Sequence, residues 1–392
     1  MQSDDVVIIG GGVMGASAAF WLTRLRPGLR VRVCEADPTY ARAATALSVA
    51  SVRQQFTTPL NVRISRFGIG FIRDFAEHVG AGAAGGSLGL QENGYLFLAG
   101  SETAAATMRD AAQMQRAEGA HTELLTPKAL ARRFGWMQLD DVVLGAFGPR
   151  DEGWFDNMGL LNGLRDAARA QGARFEAARV AGLELRNGQV AGVQLQDGTR
   201  CAAGAVVVAA GTGTPALLQT AGLSVPVEAR KRTVFVIDAP NARYPEAPLL
   251  VDHTGFYLRP ERDHWITATV PQDDAAVAID DFEPDHEQFE EIIWPRLYAR
   301  APGFDAVKVM RFWVGHYDYN LFDQNAIVGP HPDVAGLHLL TGFSGHGLQQ
   351  APALGRGLAE RLLTGRYQTL DLTPLEYGRI SAGQPYREDA VV

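Results

Sequence analysis

Three glycines near the start of this 392-residue chain have the plainest chemical purpose: Gly10, Gly12 and Gly15, spaced Gly-x-Gly-x-x-Gly after the apolar run that begins at Val6. Gly10 permits a tight turn, Gly12 lets the backbone approach a pyrophosphate, and Gly15 lets the next helix pack close to the strand. Val13 and Met14 open that helix, whose free backbone N–H groups point at an anion. Glu35 stands 25 residues after Gly10, near the end of the next apolar run, with Ala36 beside it. A carboxylate there accepts hydrogen bonds from ribose hydroxyls and disfavours a 2′-phosphate. Together these features favour a dinucleotide site over a glycine-rich turn without a ligand. Two later segments have the same flavour. Val206–Gly213 is apolar and ends in small residues, with Ala210 and Gly211 at its close. Gly342-Phe343-Ser344-Gly345-His346-Gly347 precedes an Ala/Leu-rich stretch whose helix N-terminus would carry partial positive charge. Taken alone, the first reads equally as a core strand and the second equally as a glycine-rich turn.

The elements that must position these residues follow from periodicity. Val6–Gly10 reads as a buried parallel strand, Met14–Leu25 as a helix and Val31–Ala36 as the next strand, a βαβ unit. Residues 37–58 read as loop, Leu60–Phe75 as a helix, Ala81–Ser87 as a Gly/Ala linker, Tyr95–Leu98 as a strand and Glu102–Ala117 as a helix. Arg179–Arg186 and Gln189–Gln196 end in Asn187-Gly188 and Asp197-Gly198, strong hairpin signals. They predict a three-stranded meander leading into a further apolar strand, Ala205–Ala210. Residues 226–320 read mainly as strands with one acidic helix, Asp285–Arg300, which Pro295 should kink or split. Leu337–Thr341 is a last strand before a helix reaching about Leu363. The fold class is α/β (α+β): a Rossmann-like nucleotide-binding domain with a β-meander, plus a substrate domain on a mixed or antiparallel sheet. The expected division is residues 1–80, 146–225 and 323–392 for the first domain, with 81–145 and 226–322 for the second.

Hydrophobic residues make up 46% and charged residues 20%, an ordinary globular balance. A net charge of −8 argues against a nucleic-acid surface, which needs basic excess. No apolar run reaches membrane-spanning length, and no basic leader precedes the first strand, so the expected location is cytoplasmic. Two cysteines and nine histidines show no metal-ligand spacing.

The order of these features resembles the D-amino-acid oxidase-like (DAO) superfamily. They are the glycine turn, Glu35, the small-residue loop Ala43–Ser48, the meander into Val206–Gly213, and Gly342–Gly347. Ser51-Val-Arg-Gln-Gln-Phe56 and Gly345-His-Gly-Leu-Gln-Gln350 resemble in particular the branch of sarcosine oxidase and dimethylglycine dehydrogenase. The resemblance implies an FAD-dependent oxidoreductase. Gly10, Gly12, Gly15 and Glu35 would hold the ADP half and Val180 would lie by the adenine. Thr45, Ala46, Leu47 and Ser48 would pass the pyrophosphate and ribityl chain, and Gly342–Gly347 would border the flavin ring. Non-covalent FAD is expected, because the covalent attachment points of relatives are missing. There is no Cys at Gly315-His316-Tyr317 and no His in Ala43–Ser51. A lysine that relatives use to activate oxygen is absent from Asp263–Thr269, which favours a dehydrogenase over an oxidase.

The implied reaction is hydride transfer from the C–H beside nitrogen in a small amino acid or secondary amine, giving an imine. The electrons would pass to oxygen or a redox partner. Alternatives are a 2-hydroxy-acid dehydrogenase on the same fold and a flavoprotein assembly factor without small-molecule turnover. Arg53 is the first candidate to anchor a substrate carboxylate, since its planar fork suits two-bond contact; otherwise it is a surface arginine. Arg259 is the second. Tyr257 either lines the pocket or packs in a core, and His346 either contacts the ring or caps a helix. His316, His253 and Tyr317 are weaker lining candidates.

Overall fold

A computed structural model describes residues 3–80 and 86–390, so residues 81–85 of the expected linker lie outside the described residues. Two large sheets organise the chain. In the first, five strands run parallel in the order Leu337–Thr341, Arg200–Val208, Asp4–Ile9, Val31–Glu35, Arg174–Ala177. Ile327–Pro330 adds an antiparallel edge, and the hairpin Val180–Arg186/Gln189–Leu195 branches from Arg200–Val208. Strand Asp4–Ile9 is apolar on both faces because both are covered. Val6 and Ile8 enter a core with the helices Val13–Leu25, Asn157–Ala170 and Gly347–Thr364, while Val7 and Ile9 enter the core under the meander. The third meander strand and the apolar strand expected after it are one element, Arg200–Val208. Its first half pairs antiparallel with the hairpin and its second half parallel with Asp4–Ile9.

The second sheet has the order Lys308–Asn320, Val227–Asp238, His264–Thr269, Phe256–Glu261, Leu249–Val251, Tyr95–Ala99, Leu144–Gly148, Glu123–Leu125. Its pairings are antiparallel except that of Leu249–Val251 with Tyr95–Ala99. The chain thus enters this sheet twice, and Leu144–Gly148 carries the first visit past residue 145.

Two local readings change. Within residues 37–58, expected as loop, lie a helical turn, Ala44–Leu47, and a short strand, Ser51–Val52, paired with Gly153–Trp154. The acidic helix begins at Gln288 rather than Asp285, as a wide π-helical turn that becomes α-helix at Trp294. Pro295 falls where the winding changes from π to α, and without an N–H it interrupts the helical hydrogen-bond ladder there. Asp285 stays outside, its carboxylate accepting from Gln288 Nε2 at 2.8 Å. Among the described residues no helix is long and apolar enough to cross a membrane.

Candidate active site

A cavity of about 400 Å³ lies at the C-terminal edge of the parallel strands and ends against the face of the second sheet. At its first end Gly10 and Gly15 make the turn and the close contact that their spacing predicts. Gly10 has φ +99°, and a Cβ there would stand 2.3 Å from Ala209 O. A Cβ on Gly15 would come within 1.9 Å of Gly10 O, so helix and strand touch only without a side chain. No side chain caps the helix at Gly12, although Thr45 Oγ1 accepts from Val13 N at 3.1 Å. Glu35 is aimed by its own backbone surroundings: Oε2 accepts from Gly11 N at 2.7 Å and Oε1 from Asp37 N at 2.8 Å.

Most of the residues singled out for a dinucleotide line this cavity: Gly10, Gly12, Val13, Met14, Glu35, Ala36, Thr45, Leu47, Ser48, Val180, Ala210, Gly211 and Phe343 through Gly347. Gly15, Ala46 and Gly342 do not. Gly15 is spent on the helix–strand contact, and Ala46 packs against the helical core. Gly342 is drawn back by Asp318, whose Oδ2 accepts from Gly342 N at 2.7 Å. Burial pushes the Asp318 carboxyl up to about 6, against the pull of that amide and the next.

At the other end, Arg53 is buried and held from every side. Its N–H donates to Gln349 Oε1 at 2.8 Å, and its carbonyl accepts from Ser65 Oγ. The guanidinium donates to the carbonyls of Gln55 and Ala390 and lies 4.3 Å from the centre of the Phe56 ring. It has no ion pair among the described residues. Tyr95, Tyr257 and Tyr317 line the same end, and burial raises all three phenols, keeping them protonated. His346 lines it as well, buried edge-on to Phe56. Burial and the Arg53 charge push its imidazole down to about 4, so it is neutral.

The structure does not bring Arg259 to the cavity. Arg259 and Tyr257 share one face of Phe256–Glu261, but two residues along a strand is about 6.6 Å. That step carries the Arg259 guanidinium past the wall, to Glu261 Oε2 at 2.6 Å and Val49 O at 3.1 Å. His316 lines the cavity, whereas His253 turns away to Asp141 at 2.9 Å. Sequence reasoning missed Arg232, Tyr95 and Gln349, all of which line the cavity. Arg232 follows Arg230 and Lys231 in the charged first half of Val227–Asp238, and both of its terminal nitrogens pair with Asp274 (2.6 and 3.0 Å). Its period-two alternation with Val234 was the available signal. Glu152, also missed, lies behind Arg53. Its oxygens accept from Gln54 N at 2.6 Å and Gln55 Nε2 at 2.8 Å, and burial lifts it to about 7.

The site is thus a trough with a glycine turn opening a helix and the Glu35 carboxylate at one end, and a buried cation among phenols at the other. The family described as FAD dependent oxidoreductase (DAO) matches residues 5–361. FAD-dependent oxidoreductase domain-containing protein 1 of Bos taurus is 39% identical over all of this chain and 87% of its own length. The Drosophila melanogaster homolog is 35% identical over 98% of this chain and 80% of its own. Among solved structures, L-proline dehydrogenase from P. horikoshii has a TM-score of 0.87 at 23% identity, covering 98% of this chain and 99% of that one. Glycine oxidase from Geobacillus kaustophilus has a TM-score of 0.81 at 23% identity, covering 96% and 98%. These two share the fold. The chain belongs to the DAO family of FAD-dependent oxidoreductases.

Proposed function

We propose that this FAD-dependent oxidoreductase oxidises the C–N bond of a small carboxylated amine, an amino acid or its N-substituted form, to an imine. FAD, when bound, supplies the acceptor for the hydride that leaves the substrate. On this reading Gly10, Gly12 and the first turn of Val13–Leu25 cradle the pyrophosphate, and Glu35 takes the ribose. Val180 lies by the adenine, and Phe343–Gly347 border the ring without a covalent bond. Residues 81–145 and 226–322 build the substrate side.

The observation that carries the reading is Arg53, a buried cation facing the cavity with no ion pair among the described residues. Two of its five N–H groups are committed to carbonyls, which leaves enough for a two-bond carboxylate contact. Arg232, by contrast, is already neutralised by Asp274, so the site suits one carboxylate rather than two. The phenols exclude water and offer hydroxyls for orientation. Among the described residues no lysine lines the cavity, which supports an electron acceptor other than oxygen. Lys231 is instead tied to Asp281 at 2.8 Å.

Anaerobic mixing of the holoenzyme with matched pairs of compounds tests this. Amino acids and N-methyl amino acids should bleach the flavin, and the same amines without a carboxylate should not. Bleaching by 2-hydroxyglutarate alone would establish the hydroxy-acid chemistry instead.

A further inference from the structure

Residues 384–390 run along the surface of neither sheet but are pinned into the molecule at successive positions. Tyr386 N donates to Asp323 Oδ2 at 2.9 Å, and Tyr386 O accepts from Asn325 Nδ2 at 3.0 Å. Glu388 is fully buried, its carboxylate accepting from Thr57 N (2.8 Å) and Oγ1 (2.7 Å), Thr58 N (3.2 Å) and Oγ1 (3.0 Å), and Asn61 Nδ2 (3.0 Å). Ala390 N donates to it as well, at 3.1 Å, and a buried carboxylate satisfied by these six donors is a strong local anchor, because a buried charge is costly unless it is hydrogen-bonded. Two residues later the carbonyl of Ala390 meets both Arg53 Nη2 and His346 Nε2, the latter at 3.2 Å.

That carbonyl decides the chemistry of His346. A carbonyl only accepts, so the nitrogen facing it must carry the proton, and in a neutral imidazole the other nitrogen is then a lone pair. That other nitrogen, Nδ1, is buried and has no partner among the described residues, although His346 lines the cavity. An orphaned acceptor beside an unpaired arginine is the complement of a group with an N–H donor next to a carboxylate.

We propose that the segment ending at Ala390 is part of the active site, with Glu388 the positioning residue that sets His346 as the Nε2–H tautomer, so that Nδ1 accepts a hydrogen bond from the amino group of a substrate whose carboxylate lies on Arg53. This rests on the carboxylated-amine reading above. His346 acts as an acceptor and not as a proton store, because burial and the Arg53 charge hold it neutral. It orients the substrate nitrogen while Arg53 holds the carboxylate, and two contacts fix the bond to be oxidised where one would leave it free to rotate.

The test uses the FAD-loaded full chain labelled with 15N-histidine. The His346 signals are assigned by their loss in His346→Asn. The expected spectrum shows a protonated Nε2 and a lone-pair Nδ1 across neutral pH. Glu388→Gln should mix the tautomers, and Glu388→Asp should restore them in part. Glu388→Gln should also raise KM for the amino-acid substrate about ten-fold, the scale of one hydrogen bond, with FAD content retained. A protonated Nδ1 in the native protein overturns the proposal. So does a Glu388→Gln protein that keeps both tautomer and KM. If Glu388→Gln does not fold, the native spectrum still decides the tautomer, and a shift of the Nδ1 signal on adding substrate decides the contact. If no amine reduces the flavin but the tautomer is as described, the functional reading fails and the role of Ala390 stands.

Discussion

Replacing Arg53 by methionine tests both the contacts this side chain makes within the fold and the substrate role proposed for it. The guanidinium satisfies the buried carbonyls of Gln55 and Ala390 and stacks on Phe56. A buried acceptor left unpaired costs about 1–3 kcal/mol, and His346 still serves the Ala390 carbonyl, so the expected loss of folding stability is about 2–4 kcal/mol. Unfolding entropy near 2.1 cal/mol/K per residue over 392 residues gives about 0.8 kcal/mol per degree, so Tm should fall by ~2–5 °C. Substrate binding should suffer independently. Removing one partner of a buried charge pair costs about 2–4 kcal/mol, a roughly thirty- to thousand-fold rise in the apparent Kd for flavin reduction. Arg53→Lys keeps the charge but not the planar fork, so it should lose affinity while recovering part of the stability. Thermal unfolding and an anaerobic titration at 450 nm, roughly where any oxidised flavin absorbs, read the two effects separately. A lower Tm with unchanged substrate Kd in both variants would show that Arg53 only holds the wall together, and the carboxylate reading would fall with it.

Three further outcomes are expected. Glu35→Ala should weaken FAD binding about ten- to hundred-fold, by loss of charge-assisted bonds, and leave flavin reduction in the occupied fraction near normal; equal FAD affinity measured by ultrafiltration would remove Glu35 from the ribose. Glu152 is lifted from 4.5 to about 7, so folding favours its protonated form. Its contribution is therefore full below pH 4.5 and is lost as pH rises through 7, by up to about 3 kcal/mol. Glu152→Gln should flatten the fall of Tm between pH 5 and 8, and parallel curves would refute this. Acid precipitation should leave the flavin in the supernatant, and a yellow pellet would show a covalent bond.

Much of the nucleotide half was legible because its chemistry is local. The turn at Gly10, the contact at Gly15 and the distance to Glu35 are set within one βαβ unit, where spacing along the chain is spacing in the fold. The meander was legible for the same reason, since Asn187-Gly188 and Asp197-Gly198 are short-range turn signals. What failed locally failed at transitions. The turn at Ala44–Leu47 is too short to show a period. Gln288–Ile293 adopts a wider winding that the α-helical pattern does not distinguish.

The substrate half needed the tertiary structure. Arg53 and Arg259 are the same residue type in equally suggestive contexts, yet Arg53 faces the cavity with no ion pair among the described residues and Arg259 is consumed by Glu261. The two lie on separate segments, and what each guanidinium meets depends on how those segments pack, which the residues around them do not show. Arg232, Tyr95 and Gln349 reach the cavity from three elements far apart in the chain. The Ala390 carbonyl lies 337 residues from Arg53. The sequence by itself determined the class of cofactor, because the glycine turn and the acid that follows it lie within one short βαβ unit. Which arginine faces the cavity, and which histidine nitrogen is left without a partner among the described residues, was decided only by folding, because those groups converge from separate segments whose approach no local pattern encodes.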